Sequence, residues 1–219
     1  RRYYIAAGNG SGIRFGPLLE FSELVSSFDG LPDGAKQLCP LSETDTAVLC
    51  EGSLFVVGEN GAWNLDYCDG LRIPHIYGIQ RTADGVFFWT DDGFGSFDED
   101  GCSYSGGFEA AYGTRIVSCA FQGESVWLLA DTGQCYVKRP GSVLQRDACP
   151  KNTRWFFAGP ADLYCYLTDG RIAHRNPEGK WEAVADGLVD ALYALVDGYG
   201  AFFATDRAFV AAEGDVVEF

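Results

Sequence analysis

The residues best suited to chemistry are the carboxylates of the run Asp91-Asp92-Gly93-Phe94-Gly95-Ser96-Phe97-Asp98-Glu99-Asp100-Gly101. Calcium loops take oxygen ligands from alternating positions around a glycine turn. Ser96, Asp98, Asp100 and Gly101 approximate that spacing, but the first carboxylate is absent. Tyr104 also stands where a further carboxylate ligand is expected. Asp-Gly is a favoured hairpin turn, and Asp100-Gly101 falls where other copies of a repeat also turn. The turn reading therefore displaces calcium at Asp98 and Asp100. His75, after Pro74, sits in an inner-strand run, whereas His174 sits on an outer hairpin. Their repeat positions differ, so both read as packed or surface histidines rather than a metal or catalytic pair. Gly8-Asn9-Gly10-Ser11-Gly12 lacks the Lys-Ser/Thr and following helix of a phosphate loop, and Gly-x-Ser-x-Gly is absent. No catalytic residue, cofactor or metal is expected.

Eight cysteines are present and none forms Cys-x-x-Cys, which removes zinc-ribbon and thioredoxin-type sites. Cys50, Cys119, Cys135 and Cys165 lie inside apolar runs, where a thiol packs as a small hydrophobe. Cys39, Cys68, Cys102 and Cys149 lie nearer strand ends. The expectation is mostly free thiols, with room for some disulfide.

The elements that carry these residues are short strands. In Leu163–Gly179 an aromatic run meets Thr168-Asp169-Gly170, a second strand follows, and Asn176-Pro177-Glu178-Gly179 turns again before Lys180–Val184. That is an antiparallel meander, too small to bury a core alone. It recurs. Apolar runs end at Cys50-Glu51-Gly52, Thr90-Asp91-Asp92-Gly93, Ala130-Asp131-Thr132-Gly133, Thr168-Asp169-Gly170 and Ala204-Thr205-Asp206-Arg207, about 40 residues apart. Second turns follow at Asn60-Gly61, Asp100-Gly101, Pro140-Gly141, Glu178-Gly179 and Glu213-Gly214, with Asn9-Gly10 an earlier copy. Asp29-Gly30-Leu31, Asp69-Gly70-Leu71 and Asp186-Gly187-Leu188 recur as a crossover signal.

Four short strands in such a period are the pattern of a β-propeller blade. The expected fold is all-β: one propeller domain of about six blades, the first incomplete. Residues 1–15 form a half blade and 16–35 an insertion, with one short helix near 20–28. Full blades follow at 36–66, 72–105, 115–146, 154–184 and 188–219. Inner strands carry Phe, Trp, Tyr and Leu, while outer strands such as Ser142–Arg146 carry charge.

A formal net charge of −15 disfavours nucleic acid and is compatible with a basic protein partner. No apolar run approaches the roughly 18 residues of a membrane helix. The chain starts at Arg1 without Met, which gives a slight preference for an organelle after N-terminal processing.

Strand, Thr-Asp-Gly turn, aromatic strand and second Gly turn together resemble the regulator of chromosome condensation family of propellers. Ile116–Val137 and Leu54–Leu65 come nearest its repeat. The family's Gly-x-His before the second strand lacks its His in every copy here. The resemblance thus implies the scaffold rather than nucleotide exchange or chromatin binding. Repeat length also suits tectonin-type sugar-binding propellers.

The expected function is a non-enzymatic interaction module or structural subunit of a larger assembly. Other protein subunits are its expected partners, met at the half blade Arg1–Phe15. A lectin-like propeller and an enzyme with a central-channel site are the alternatives.

Overall fold

The computed structural model describes residues 3–6, 13–16, 35–42, 45–58, 61–68, 70–98, 100–158, 162–185, 193–197, 200–204, 208–211 and 216–218. The helix expected near residues 20–28 and the turn at Asn9-Gly10 lie outside them. The chain divides into two compact units, Arg1–Gly107 and Phe108–Phe219.

In the first unit, β1 (Tyr3–Ala6) and β2 (Ile13–Gly16) pair antiparallel as a two-stranded sheet. The strands β3 (Ala35–Pro40), β4 (Thr46–Cys50), β5 (Ser53–Gly58) and β6 (Gly61–Asn64) form a four-stranded meander. A small hairpin follows, β7 (Tyr67–Cys68) and β8 (Leu71–Arg72). A second meander is built from β9 (Ile76–Arg81), β10 (Gly85–Thr90), β11 (Phe94–Asp98) and β12 (Gly101–Ser105).

The second unit opens with a one-turn helix, α1 (Phe108–Tyr112). Three meanders follow. They are β13 (Ile116–Gln122), β14 (Ser125–Ala130), β15 (Cys135–Lys138) and β16 (Gln145–Asp147); β17 (Thr153–Ala158), β18 (Leu163–Leu167), β19 (Ile172–Arg175) and β20 (Trp181–Ala185); and β21 (Tyr193–Asp197), β22 (Gly200–Ala204), β23 (Ala208–Ala211) and β24 (Val216–Glu218).

The second strands β4, β10, β14 and β18 are buried on both faces. All five residues of β4 are buried, as are the last five of β14. A sheet covered on both sides reads as a continuous apolar run rather than an alternation. Outer strands behave differently: β12 alternates exposed and half-buried residues, and β16 is largely exposed. In the first unit Ala47 and Leu49 of one meander meet Val86 and Phe88 of the next in a single apolar cluster. In the second, Trp127 and Leu129 meet Phe156, Leu163 and Cys165 in the same way.

Three of the recurring turns share a conformation. Gly52, Gly133 and Gly170 take φ of 84°, 77° and 83°, the left-handed region where a side chain is strained. Gly52 has a second reason to be glycine, because a Cβ there would run into the imidazole of His75. Its carbonyl accepts the Ile76 N–H at 2.8 Å, joining the turn of one meander to the first strand of the next.

Polar bonds also join neighbouring meanders. Ile79 N–H donates to Gln37 Oε1 at 2.7 Å, and Phe156 N–H donates to Ser118 Oγ at 2.8 Å. Gln37 and Ser118 are equivalent, since each follows a β-bulge in the first strand and opposes a leucine, Leu49 or Leu129. Removing Ser118 Oγ leaves the Phe156 amide without its acceptor in a buried setting. Ser118→Ala should therefore cost about 1–3 kcal/mol, seen as a lower urea midpoint at unchanged m-value.

Two elements differ from the sequence expectation. Residues 106–114, left between the expected blades 72–105 and 115–146, hold α1, whose Phe108 and Tyr112 rings are 4.9 Å apart and both meet Tyr136. Their i,i+4 spacing was the available signal. Gly70-Leu71, part of a run read as a crossover, belongs to a hairpin: Cys68 opposes Leu71, and Gly70 has a φ of 78°.

Candidate functional site

The acidic run resolves into hairpin chemistry. Asp98 Oδ1 accepts the backbone N–H groups of Asp100 at 2.9 Å and Gly101 at 3.1 Å. That carboxylate closes the β11–β12 turn, where Asp98 opposes Gly101. Ser96 Oγ lies 2.9 Å from Ser103 Oγ across the same pair of strands. At the other end of the hairpin, Thr90 Oγ1 is 2.9 Å from Tyr104 Oη, and Asp92 Oδ2 accepts Gly107 N–H at 2.9 Å. Burial raises the Tyr104 phenol above its ordinary range, so it stays protonated and able to donate. Among the described residues no three His, Cys, Asp or Glu side chains are placed to hold a metal ion.

The two histidines lie in different units. His75 is exposed, with its ring 4.7 Å from Tyr77, which stacks in turn on Trp89 at 5.6 Å. His174 Nε2 lies 3.1 Å from Asp162 Oδ1, with its ring 4.7 Å from Tyr164. The loop Gly8–Gly12 falls outside the described residues.

Sequence reasoning missed a recurring device on the first strands. Each of β3, β9, β13 and β17 carries a register shift, leaving one residue unopposed: Lys36, Tyr77, Val117 and Arg154 in turn. Tyr77, Val117 and Arg154 are exposed. Bulges re-aim a side chain and often border functional sites. These four types, however, share no acid–base chemistry. A bulge has no local sequence signature beyond the strand itself, so only the pairing register exposes it.

Among the described residues of the first unit, several exposed apolar side chains lie on or just before the β7–β8 hairpin. Trp63, Tyr67 and Leu71 are 48%, 61% and 60% exposed. Trp63 meets Phe97 edge-on at 5.4 Å, and Phe97 opposes Cys102 on β12. Cys102 is disulfide-bonded to Cys68 of β7, with Cα atoms 5.3 Å apart. The hairpin is thus clamped to the outer strand of the meander, with Tyr67 and Leu71 exposed on it. Acidic groups border it: Asp66 precedes Tyr67, and Asp98 and Asp100 close the adjacent hairpin.

Solved structures give the architecture independently. The extracellular domain assigned to the hybrid two component system BT3049 of B. thetaiotaomicron superposes with a TM-score of 0.68 at 10% identity, covering 100% of this chain and 32% of that one. The extracellular domain assigned to the one component system BT4673 of the same organism gives 0.65 at 14%, covering 94% and 30%. A gluconolactonase of Xanthomonas campestris, XC5397, gives 0.56 at 12%, covering 78% and 69%. The fold is a β-propeller. No family model and no curated protein matches the chain.

This propeller chain spans about a third of the length of the first structures it matches. The regulator of chromosome condensation resemblance is accordingly carried by its turn pattern alone. The organellar preference gains nothing from neighbours described as extracellular domains. No helix among the described residues is long and apolar enough to cross a membrane.

Of the eight cysteines, Cys68 and Cys102 are bonded; Cys39, Cys50, Cys119, Cys135, Cys149 and Cys165 are free. Burial pushes the Cys39 thiol up to about 11 and the Cys165 thiol to about 12, so both stay protonated. Cys68→Ser with Cys102→Ser should cost about 2–4 kcal/mol, because the cross-link no longer restricts the unfolded chain. A reducing agent should lower the melting temperature of the wild type and leave that of the double variant unmoved.

Proposed function

We propose that this chain is a non-enzymatic β-propeller module that docks another protein through the clamped hairpin patch of its first unit. The observation that carries this reading is the exposure of Tyr67 and Leu71 on a hairpin held by the Cys68–Cys102 bond, with Trp63 exposed on the strand before it. Exposed aromatics beside a rigid support are typical anchors of protein interfaces. The clamp also reduces the ordering cost of binding, since the hairpin is already held. The partner is a protein segment with an apolar anchor and Lys or Arg around it. That chemistry complements the aspartates at the patch and the net charge of −15.

The likeness to domains of larger proteins supports a role as one part of an assembly. The two-stranded sheet β1–β2 is the second surface in this proposal, a place where a partner strand adds by backbone pairing. The whole chain is taken here as one propeller domain. The turn pattern shared with the regulator of chromosome condensation family supports a common blade plan and carries no activity over.

The test compares the wild type with Trp63→Ala/Tyr67→Ser/Leu71→Ser and with Val143→Ser, an exposed apolar control in the second unit. Affinity capture from the native source should recover a defined partner with the wild type and the control. The triple variant should hold that partner at least about tenfold more weakly at an unchanged melting temperature. Binding should also weaken as salt rises through the physiological range. Undiminished capture by the folded triple variant would sink the reading, as would a monodisperse wild type that recovers no partner.

A further inference from the structure

Three of the free thiols converge in the second unit. Cys135 begins β15 and directly opposes Asp147 on β16. Two residues beyond Asp147, the chain carries Cys149 back over the start of β15, where its Sγ lies 3.8 Å from the Gly133 carbonyl. Continuing the β15–β16 register puts Cys149 diagonally across from Cys135 on the same face. Cys165 of β18 sits in the same apolar cluster as Cys135, and Cys149 packs against that cluster. The Thr153 hydroxyl donates to the Pro150 carbonyl, one residue past Cys149, at 2.7 Å. Cys135 and Cys165 are buried, whereas Cys149 is partly open to solvent.

A disulfide requires two neighbouring cysteines on segments that can bring their sulfurs together. Here one thiol lies on a paired strand, and the other follows the end of that strand's partner. A thiol–disulfide exchange site further requires one accessible thiol to attack and a shielded one to resolve. Cys149 and Cys135 divide along that line. Neither thiol contributes to the apolar patch of the first unit, so this site is separate from the proposed docking surface.

We propose that Cys149 and Cys135 form a thiol–disulfide exchange site for small disulfides, with Cys149 attacking and Cys135 resolving. The Cys149 thiolate attacks one sulfur of a small disulfide such as oxidised glutathione. The S–S bond of that molecule breaks, and one thiolate leaves and takes a proton from water. The Cys135 thiol then gives its proton to water and attacks the Cys149 sulfur, expelling the second thiolate, which is protonated in turn. The protein gains one disulfide and loses two hydrogens; the small disulfide becomes two thiols.

The ionisation of the pair favours this order. The hydrogen bond from Cys135 lowers the Cys149 thiol to about 7, helped by Thr153 and opposed by burial and by the Asp147 carboxylate. The same bond and burial hold Cys135 protonated, against the pull of the Arg175 guanidinium. A thiol with a pKa near ambient pH is the favoured attacker in exchange. Cys165 keeps its proton and stands by as a packing residue.

The test uses the intact protein with its Cys68–Cys102 bond in place. Brief alkylation by iodoacetamide at neutral pH should label Cys149 roughly tenfold or more faster than Cys39, Cys50 or Cys119. After oxidised glutathione, peptide mapping should find a Cys135–Cys149 cross-link and loss of label at both. Cys135→Ala should accumulate a glutathione mixed disulfide on Cys149, Cys149→Ala should take up none, and Cys165→Ala should behave as the wild type. The mapping of the wild type stands even where a buried substitution prevents folding. The proposal is overturned if both thiols of the treated wild type remain alkylatable, or if the cross-link joins Cys149 to Cys165.

Discussion

A four-stranded meander with apolar residues on both faces cannot exist alone in water. That constraint governs this molecule. Strand β4 is buried throughout, and β10 and β14 nearly so, because each lies inside a sheet that has a neighbour to cover it. Full burial of a side chain such as Phe88 contributes about 1.5–3 kcal/mol, realised only when Ala47 and Leu49 of the adjoining meander close over it. Stability in such a fold therefore resides between the repeats as much as within them.

The bonds from Ile79 to Gln37 and from Phe156 to Ser118 show how the apolar stacking is given a register. Apolar faces can slide, but a buried backbone amide tolerates only a position where its acceptor waits. A bulge before Gln37 and before Ser118 sets these side chains towards the next first strand. Each first-strand bulge also leaves one residue unopposed, and it is exposed at Tyr77, Val117 and Arg154. Structure and surface chemistry are thus coupled at a single backbone irregularity.

Sulfur chemistry divides the same way. Where thiols lie inside the apolar faces, as at Cys50 and Cys119, burial raises their pKa and they act as small hydrophobes. Where the chain leaves the blades, they acquire partners. Cys68 clamps a hairpin that belongs to no meander, and Cys149, past the end of β16, lies over the start of β15. Irregular segments carry the functional candidates because the regular ones have no freedom to present a side chain.

Much of the architecture was legible from residues alone. Thr168-Asp169-Gly170 and its relatives announce turns, since only glycine accepts φ near 80° without strain, and their spacing announces a repeat. The hairpin role of Asp98 and Asp100 could be read as well, because the same turn recurs at Glu178-Gly179 and Pro140-Gly141. Four features could not: α1, the β7–β8 hairpin, the bulges and the thiol pair. Phe108 and Tyr112 make one helical turn stable only against Tyr136, a partner 24 residues beyond the nearer of them. Cys68 finds Cys102, and Cys149 finds Cys135, through strand pairings that bring distant segments together. Local conformational preference is a property of neighbouring residues and is written in sequence. Contacts across strands depend on register, which tertiary packing alone decides.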